Sequence, residues 1–126
     1  MKMMLLGTLI AGTLSVAALA KPDAVGEMSY PKSSIGYEAL MRGENARAVS
    51  QILASVDLSK NDPAKLLNLG RAYARMGQTE KAAAYFKAAM QSRESVDLVL
   101  ADGRVMNSKV AAREAMASLQ TRVASQ

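Results

Sequence analysis

Two segments of this chain align without a gap at a spacing of 34 residues. A period of that size restricts the fold more than anything else in the sequence, because a unit that short cannot bury its apolar face alone and must stack on a copy of itself. The first segment runs from Ser34 to Leu53 (SIGYEALMRGENARAVSQIL) and the second from Asn68 to Lys87 (NLGRAYARMGQTEKAAAYFK). Gly36 falls on Gly70, Gly43 on Gly77, Ala48 on Ala82, Ile35 on Leu69, Ile52 on Phe86 and Arg47 on Lys81. Each match has a mechanical reading. Gly70 lies inside a helical pattern, where it costs about 1 kcal/mol relative to Ala, so it marks a close approach of two helices. Gly43 and Gly77 each follow one helical run and precede another, the place where left-handed backbone ends a helix. Asn45 and Thr79 are placed to cap the helices that follow. Ala48 and Ala82 are small enough for a crossing point, with Ile52 and Phe86 as larger knobs one turn on.

The second copy, with Leu66, Leu69-Gly70, Tyr73, Gly77, Ala82, Phe86 and Ala89 at their spacings, resembles the tetratricopeptide repeat. Leu66 stands where the family has Trp, and Glu94 where the unit usually ends in Pro. Asp62-Pro63 supplies a cap followed by Pro at the first helical position. The first copy carries Ala39 in place of the Tyr and Ser55 in place of the last Ala. The resemblance covers residues 29 to about 91. It implies an all-α fold of stacked antiparallel helical hairpins, an α-solenoid of two to three repeats. Residues 95–126 read as a third, diverged hairpin, with Asn107 at its turn, Ser108 as cap, and Ala112, Met116 and Leu119 as its small-then-large face. Repeats are expected at about 29–62, 63–94 and 95–126, and helices at 30–42, 45–57, 63–76, 79–92, 95–106 and 108–122.

The composition agrees with helices. Half the residues are apolar and 4% are aromatic, with Ala, Leu and Met dominating; unbranched side chains lose little rotamer freedom in a helix. There is no Cys and no His. That removes thiolate nucleophiles, the usual general base and the commonest metal ligand. No Gly-rich phosphate loop, paired carboxylates or metal-ligand spacing stands out. No catalysis and no cofactor are expected. The net charge of +5 is spread among acidic residues without a basic block, so no nucleic-acid partner is expected either.

The first 20 residues, MKMMLLGTLIAGTLSVAALA, combine Lys2, an apolar run from Met3 to Val16 and Ala18-Leu19-Ala20 as a small-x-small cleavage pattern. This is the layout of an export signal peptide. The expected product begins at Lys21, passes through an extended lead-in over residues 21–28, and has no further membrane span. It is periplasmic, with secretion as the alternative. Without a Cys after the apolar run, a lipoprotein anchor is not expected.

In the tetratricopeptide family, the first helices of successive hairpins line a concave groove that holds an extended peptide or a partner's helix. By spacing, the resemblance puts Tyr30, Ser33, Tyr37, Leu40 and Met41 on that groove from the first hairpin. From the second it puts Ala64, Leu67, Asn68, Arg71, Ala74 and Arg75 there, with Arg104 at the rim. Tyr37, Leu40, Met41, Asn68, Arg71 and Arg75 form the candidate partner-binding set; Tyr and Arg are frequent binding hot spots. The other reading of Tyr37, Leu40 and Met41 is packing beneath the lead-in. Some family members clamp a C-terminal carboxylate with Asn and basic residues. Here Asn68 and Arg71 are similar, but the first hairpin offers Ser33 and Tyr37 instead, so the clamp is not expected. The function implied is a non-catalytic protein- or peptide-binding module of the cell envelope. The alternative is a self-associating structural protein whose hairpin stack continues between chains.

Overall fold

The computed structural model describes residues 35–56 and 58–126. The expected signal peptide, the lead-in, Tyr30 and Ser33 lie outside the described residues. In chain order the elements are α1 (Tyr37–Met41), α2 (Asn45–Ala54), α3 (Pro63–Arg75), α4 (Thr79–Gln91), β1 (Asp97–Val99), β2 (Val105–Asn107) and α5 (Ser108–Ala124). The described residues are thus mostly helical, with one two-stranded sheet.

Both helix–helix links of the first two hairpins close in the same way. Gly43 has φ 74° and Gly77 has φ 75°, and each donates its N–H back into the preceding helix, Gly43 to the Leu40 carbonyl at 3.0 Å and Gly77 to Ala74 at 3.1 Å. The next residue reaches one position further back, Glu44 N–H to Ala39 and Gln78 N–H to Tyr73, each at 2.9 Å. This is a Schellman closure, satisfying carbonyls that the helix end would otherwise leave bare. Glu44 and Gln78 then serve as N-caps of α2 and α4, without a side-chain cap bond. The expected caps, Asn45 and Thr79, are instead the first helical residues. A link of one Gly plus one residue puts the capping position one place earlier than the Asn and Thr. The Asp62-Pro63 start is formed as expected, with Asp62 Oδ1 accepting the Lys65 N–H at 2.8 Å.

The aligned glycines explain the aligned knobs. A Cβ placed on Gly70 would lie 2.5 Å from Phe86 Cδ1, and one on Gly36 would lie 2.7 Å from Ile52 Cγ1. Ala48, Ala82, Ile52 and Phe86 are all buried. One departure separates the copies. Gly36 is left-handed at φ 84° and is the N-cap of α1, so the helix expected over 30–42 does not run through it. α1 starts at Tyr37, because Gly36 turns the chain beneath Ile52 rather than continuing a helix as Gly70 does.

The helix expected over 95–106 is not formed. β1 and β2 pair antiparallel there, with Asp97 opposite Asn107, Leu98 opposite Met106 and Val99 opposite Val105. Leu98 and Leu100 point inward while Val99 and Val105 face out, the period of two that suits a strand buried on one face. Asp102-Gly103 makes the turn. Gly103 (φ 86°) donates to the Leu100 carbonyl at 2.9 Å, and Leu100 N–H donates to Arg104 at 2.8 Å. Turn chemistry of this type, with Gly in the left-handed position, outweighs the helical composition around it.

β2 runs directly into α5. Asn107 is the N-cap, its side chain accepting the Lys109 N–H at 3.0 Å; Ser108, expected as the cap, is the first helical residue. Two apolar clusters result. One joins Leu66, Leu67, Ala82, Phe86, Ala89, Leu98, Leu100, Ala111, Ala112, Ala115 and Leu119. The other joins Ala39, Leu40, Ala48, Ile52, Leu69 and Ala72. α3 contributes to both, and it packs against α1, α2, α4 and α5.

Candidate partner-binding surface

The six candidate residues divide into an accessible pair, a tether and a buried group. Met41 is 49% exposed, and Tyr37 beside it is half-buried against the first-hairpin cluster. Arg75 is half-buried and donates from Nη1 to the Leu40 carbonyl at 2.6 Å. It thereby places a cation on the last turn of α1, where the helix dipole favours one, and ties α3 to α1. Leu40 and Asn68 are fully buried, and Arg71 is 6% exposed with its guanidinium carbon 5.9 Å from the Phe86 ring centroid. That placement suits a cation–π contact in a partly desolvated setting.

Leu40, Asn68 and Arg71 are therefore buried in the fold and do not stand open on a surface. α3 is the central helix, and the face assigned to the groove is covered. Leu67 is sealed in the cluster that also holds Leu98 and Leu100 of the hairpin and the small face of α5, and Ala64 and Ala74 pack against that cluster. At the hairpin turn, Ala101 packs against the other cluster, the one containing Leu40. Reversing the charge of Arg71 would break the core, so it does not test binding. Arg104 sits at the hairpin turn and not on a helical rim. Its Nε pairs with Asp102 Oδ2 at 2.7 Å. The Arg104 backbone N–H, then its side chain, hold the Asp102 carboxyl below its ordinary range.

Helical spacing does not reveal the hairpin leucines, although the Asp102-Gly103 pair between alternating apolar residues carries the signal. Nor does it reveal an aromatic pair. Tyr73 and Tyr85 stack with centroids 5.5 Å apart and planes within 2°, and Lys81 Nζ lies 5.2 Å from the Tyr73 centroid. Burial, then the neighbouring Tyr73, raises the Tyr85 hydroxyl above its ordinary pKa.

Exposed apolar side chains lie on the first hairpin (Ile35, Met41, Leu53 and Val56), around the β-hairpin (Val96, Val99 and Val105) and at the end of α5 (Val123). Those of the first hairpin lie beside two solvated ion pairs, Arg42–Glu38 at 2.9 Å and Arg47–Glu44 at 3.1 Å. Pairs of this kind contribute little to stability but keep such a surface soluble. Among the described residues no helix is long and apolar enough to cross a membrane. Compared with known proteins, the chain matches no family model, no curated protein and no solved structure.

Proposed function

We propose that this chain is a non-catalytic protein–protein interaction module of the tetratricopeptide type, a short α-solenoid exported to the periplasm, that binds a peptide or partner helix. The observation that carries this reading is a glycine-against-knob contact used twice, 34 residues apart. Gly36 admits Ile52 and Gly70 admits Phe86, and a Gly-closed link of the same hydrogen bonding joins the two helices each time. Repetition of a buried contact favours stacking of units, and stacked units present extended surfaces suited to partners. The lack of His and Cys supports a binding role over a catalytic one. Within the candidate set, Tyr37 and Met41 offer the contact surface, and Arg75 holds α1 in place.

The test is affinity capture. The full chain, tagged at its C-terminus and expressed in an export-competent host, is recovered from the periplasm and incubated with envelope extract beside a Met41→Glu variant. Met41 is exposed, so this change leaves the fold intact. A protein held by the parent and depleted at least tenfold on the variant supports the module, and equal retention by both sinks the α1 surface. An intact mass that still includes Met1 to Ala20 would overturn the export assignment.

Self-association is the second reading. It is favoured by the apolar side chains that Leu53 and Val56 expose at the end of the first hairpin, Val56 being 89% exposed. A solution mass equal to one chain at high concentration would remove it.

A further inference from the structure

The covering of the groove face is itself informative. Resting on the module reading above, we infer that β1 is an internal stand-in for the partner: the surface it occupies takes an extended segment with apolar side chains at alternate positions, and a partner of that chemistry enters by exchanging with β1.

Three observations carry this. First, β1 and the residue after it are an extended segment bearing Leu98 and Leu100 two positions apart, both buried in the cluster that contains Leu67 of α3. Leu67 is one of the positions that the repeat spacing assigns to partner contact. Second, the segment continues along α3. Ala101, directly after Leu100, packs against the cluster that joins Leu69 and Ala72 of α3 to Ala39, Leu40, Ala48 and Ile52. Residues 98–101 therefore run from the larger cluster to the smaller one, and α3 contributes to both. Third, β1 is held in a way that permits exchange. Among the described residues it pairs with one strand, over three residues, and a two-stranded hairpin is marginally stable by itself. Its outer face is Val99, opposite Val105, which is 67% exposed.

The two strands are not equivalent. β2 continues into α5 without a linker, and Asn107 caps that helix, so β2 stays with the body. β1 is joined to α4 through the irregular residues 92–96. Its base is closed by Ser108 N–H to the Val96 carbonyl at 2.8 Å and Val96 N–H to Ser108 Oγ at 3.2 Å. A trans segment that replaces β1 can re-form these bonds, together with the ladder to β2, in the way strand addition supplies affinity through main-chain bonds and specificity through alternate side chains.

The probe is a fluorescein-labelled peptide of the sequence SVDLVLA, that of residues 95–101. It is titrated by fluorescence anisotropy against the full chain, the Leu98→Ser/Leu100→Ser variant and a Gly103→Val variant. The first variant weakens β1's inward contacts. The second strains the turn at a left-handed Gly whose Cβ would meet nothing within 4 Å, leaving the core untouched. The parent is expected to bind weakly and both variants at least tenfold more tightly. A peptide with Ser at its two inward Leu positions should bind none of them. Hydrogen exchange of the parent should show residues 95–101 losing protection as peptide is added, with α3 and α4 unchanged. If the double variant fails to fold, Gly103→Val decides. A folded Gly103→Val chain that binds SVDLVLA no more tightly than the parent overturns the inference, as does unchanged protection of residues 95–101 at saturating peptide. Either result leaves the capture experiment standing, since that one is read at Met41.

Discussion

One methyl group is too much at Gly70. Ala is the better helix former by about 1 kcal/mol, and on propensity alone Gly70→Ala would stabilise α3. The space that the methyl would enter is filled by the Phe86 ring, which is buried and has nowhere to turn. Overpacking of this kind costs about 1–3 kcal/mol, so the contact should outweigh the propensity gain. Urea unfolding of Gly70→Ala is expected to show a lower midpoint than the parent. Combined with Phe86→Leu, the change should cost less than the sum of the two single changes, as contacting sites do; strict additivity would show that the ring and the glycine are not coupled. Tyr85 gives a second residue-scale expectation. Its pKa in the fold is raised from 10.0 by burial and by Tyr73, so the folded chain favours the neutral phenol. The contribution is intact below the unfolded value and is lost as pH climbs past it into the range of the folded value. Thermal stability should therefore fall above pH 10.0, and Tyr85→Phe should flatten that decline. An equal decline in the variant would assign the alkaline loss to other groups.

At the scale of elements, legibility followed how locally each element is specified. The Asp62-Pro63 start, the Gly43 and Gly77 stops and the small-then-large faces of α2 and α4 were all readable. Each rests on residues within a few positions of one another, and the 34-residue register repeated the message. The hairpin was misread because Ala, Leu and Met composition argues for helix, while the deciding residues were two: Asp102, whose side chain accepts the Arg104 N–H at 3.0 Å, and Gly103 at φ 86°. A period of two over Val96, Leu98 and Leu100 was available and was outvoted by its surroundings. The candidate surface was legible only in part for a different reason. Spacing along α3 says which residues share a face, but the exposure of Asn68 and Arg71 depends on what packs there. Here Arg71 lies over Phe86 of α4, and the neighbouring Leu67 shares a cluster with Leu98, Leu100 and Leu119, more than 30 positions along the chain. Propensity and periodicity carry no information about such a covering.

The described residues form two unequal cores joined by α3. The first-hairpin cluster has six buried residues, three of them Ala, on a side where α1 is only five residues long. The other has eleven and is closed by α4, α5 and the hairpin. Leu66 and Leu67 of α3 belong to the larger cluster, Leu69 and Ala72 to the smaller, and the stacked Tyr73 and Tyr85 pack against both. Regions with less apolar burial open at lower free energy, so the first-hairpin end opens first. Native-state hydrogen exchange should find α2 amides opening at lower free energy than those of α3 and α4. Ile52→Ala removes a fully buried side chain, a loss of about 2–5 kcal/mol, and should lower protection in α2 while leaving α4 and α5 close to the parent. Phe86→Ala should lower protection throughout, because its ring fills the contact between the central helix and α4. If Ile52→Ala depressed α4 and α5 as much as α2, the clusters would form one cooperative unit, and α3 would be transmitting the loss from end to end without dissipating it at the tyrosine stack.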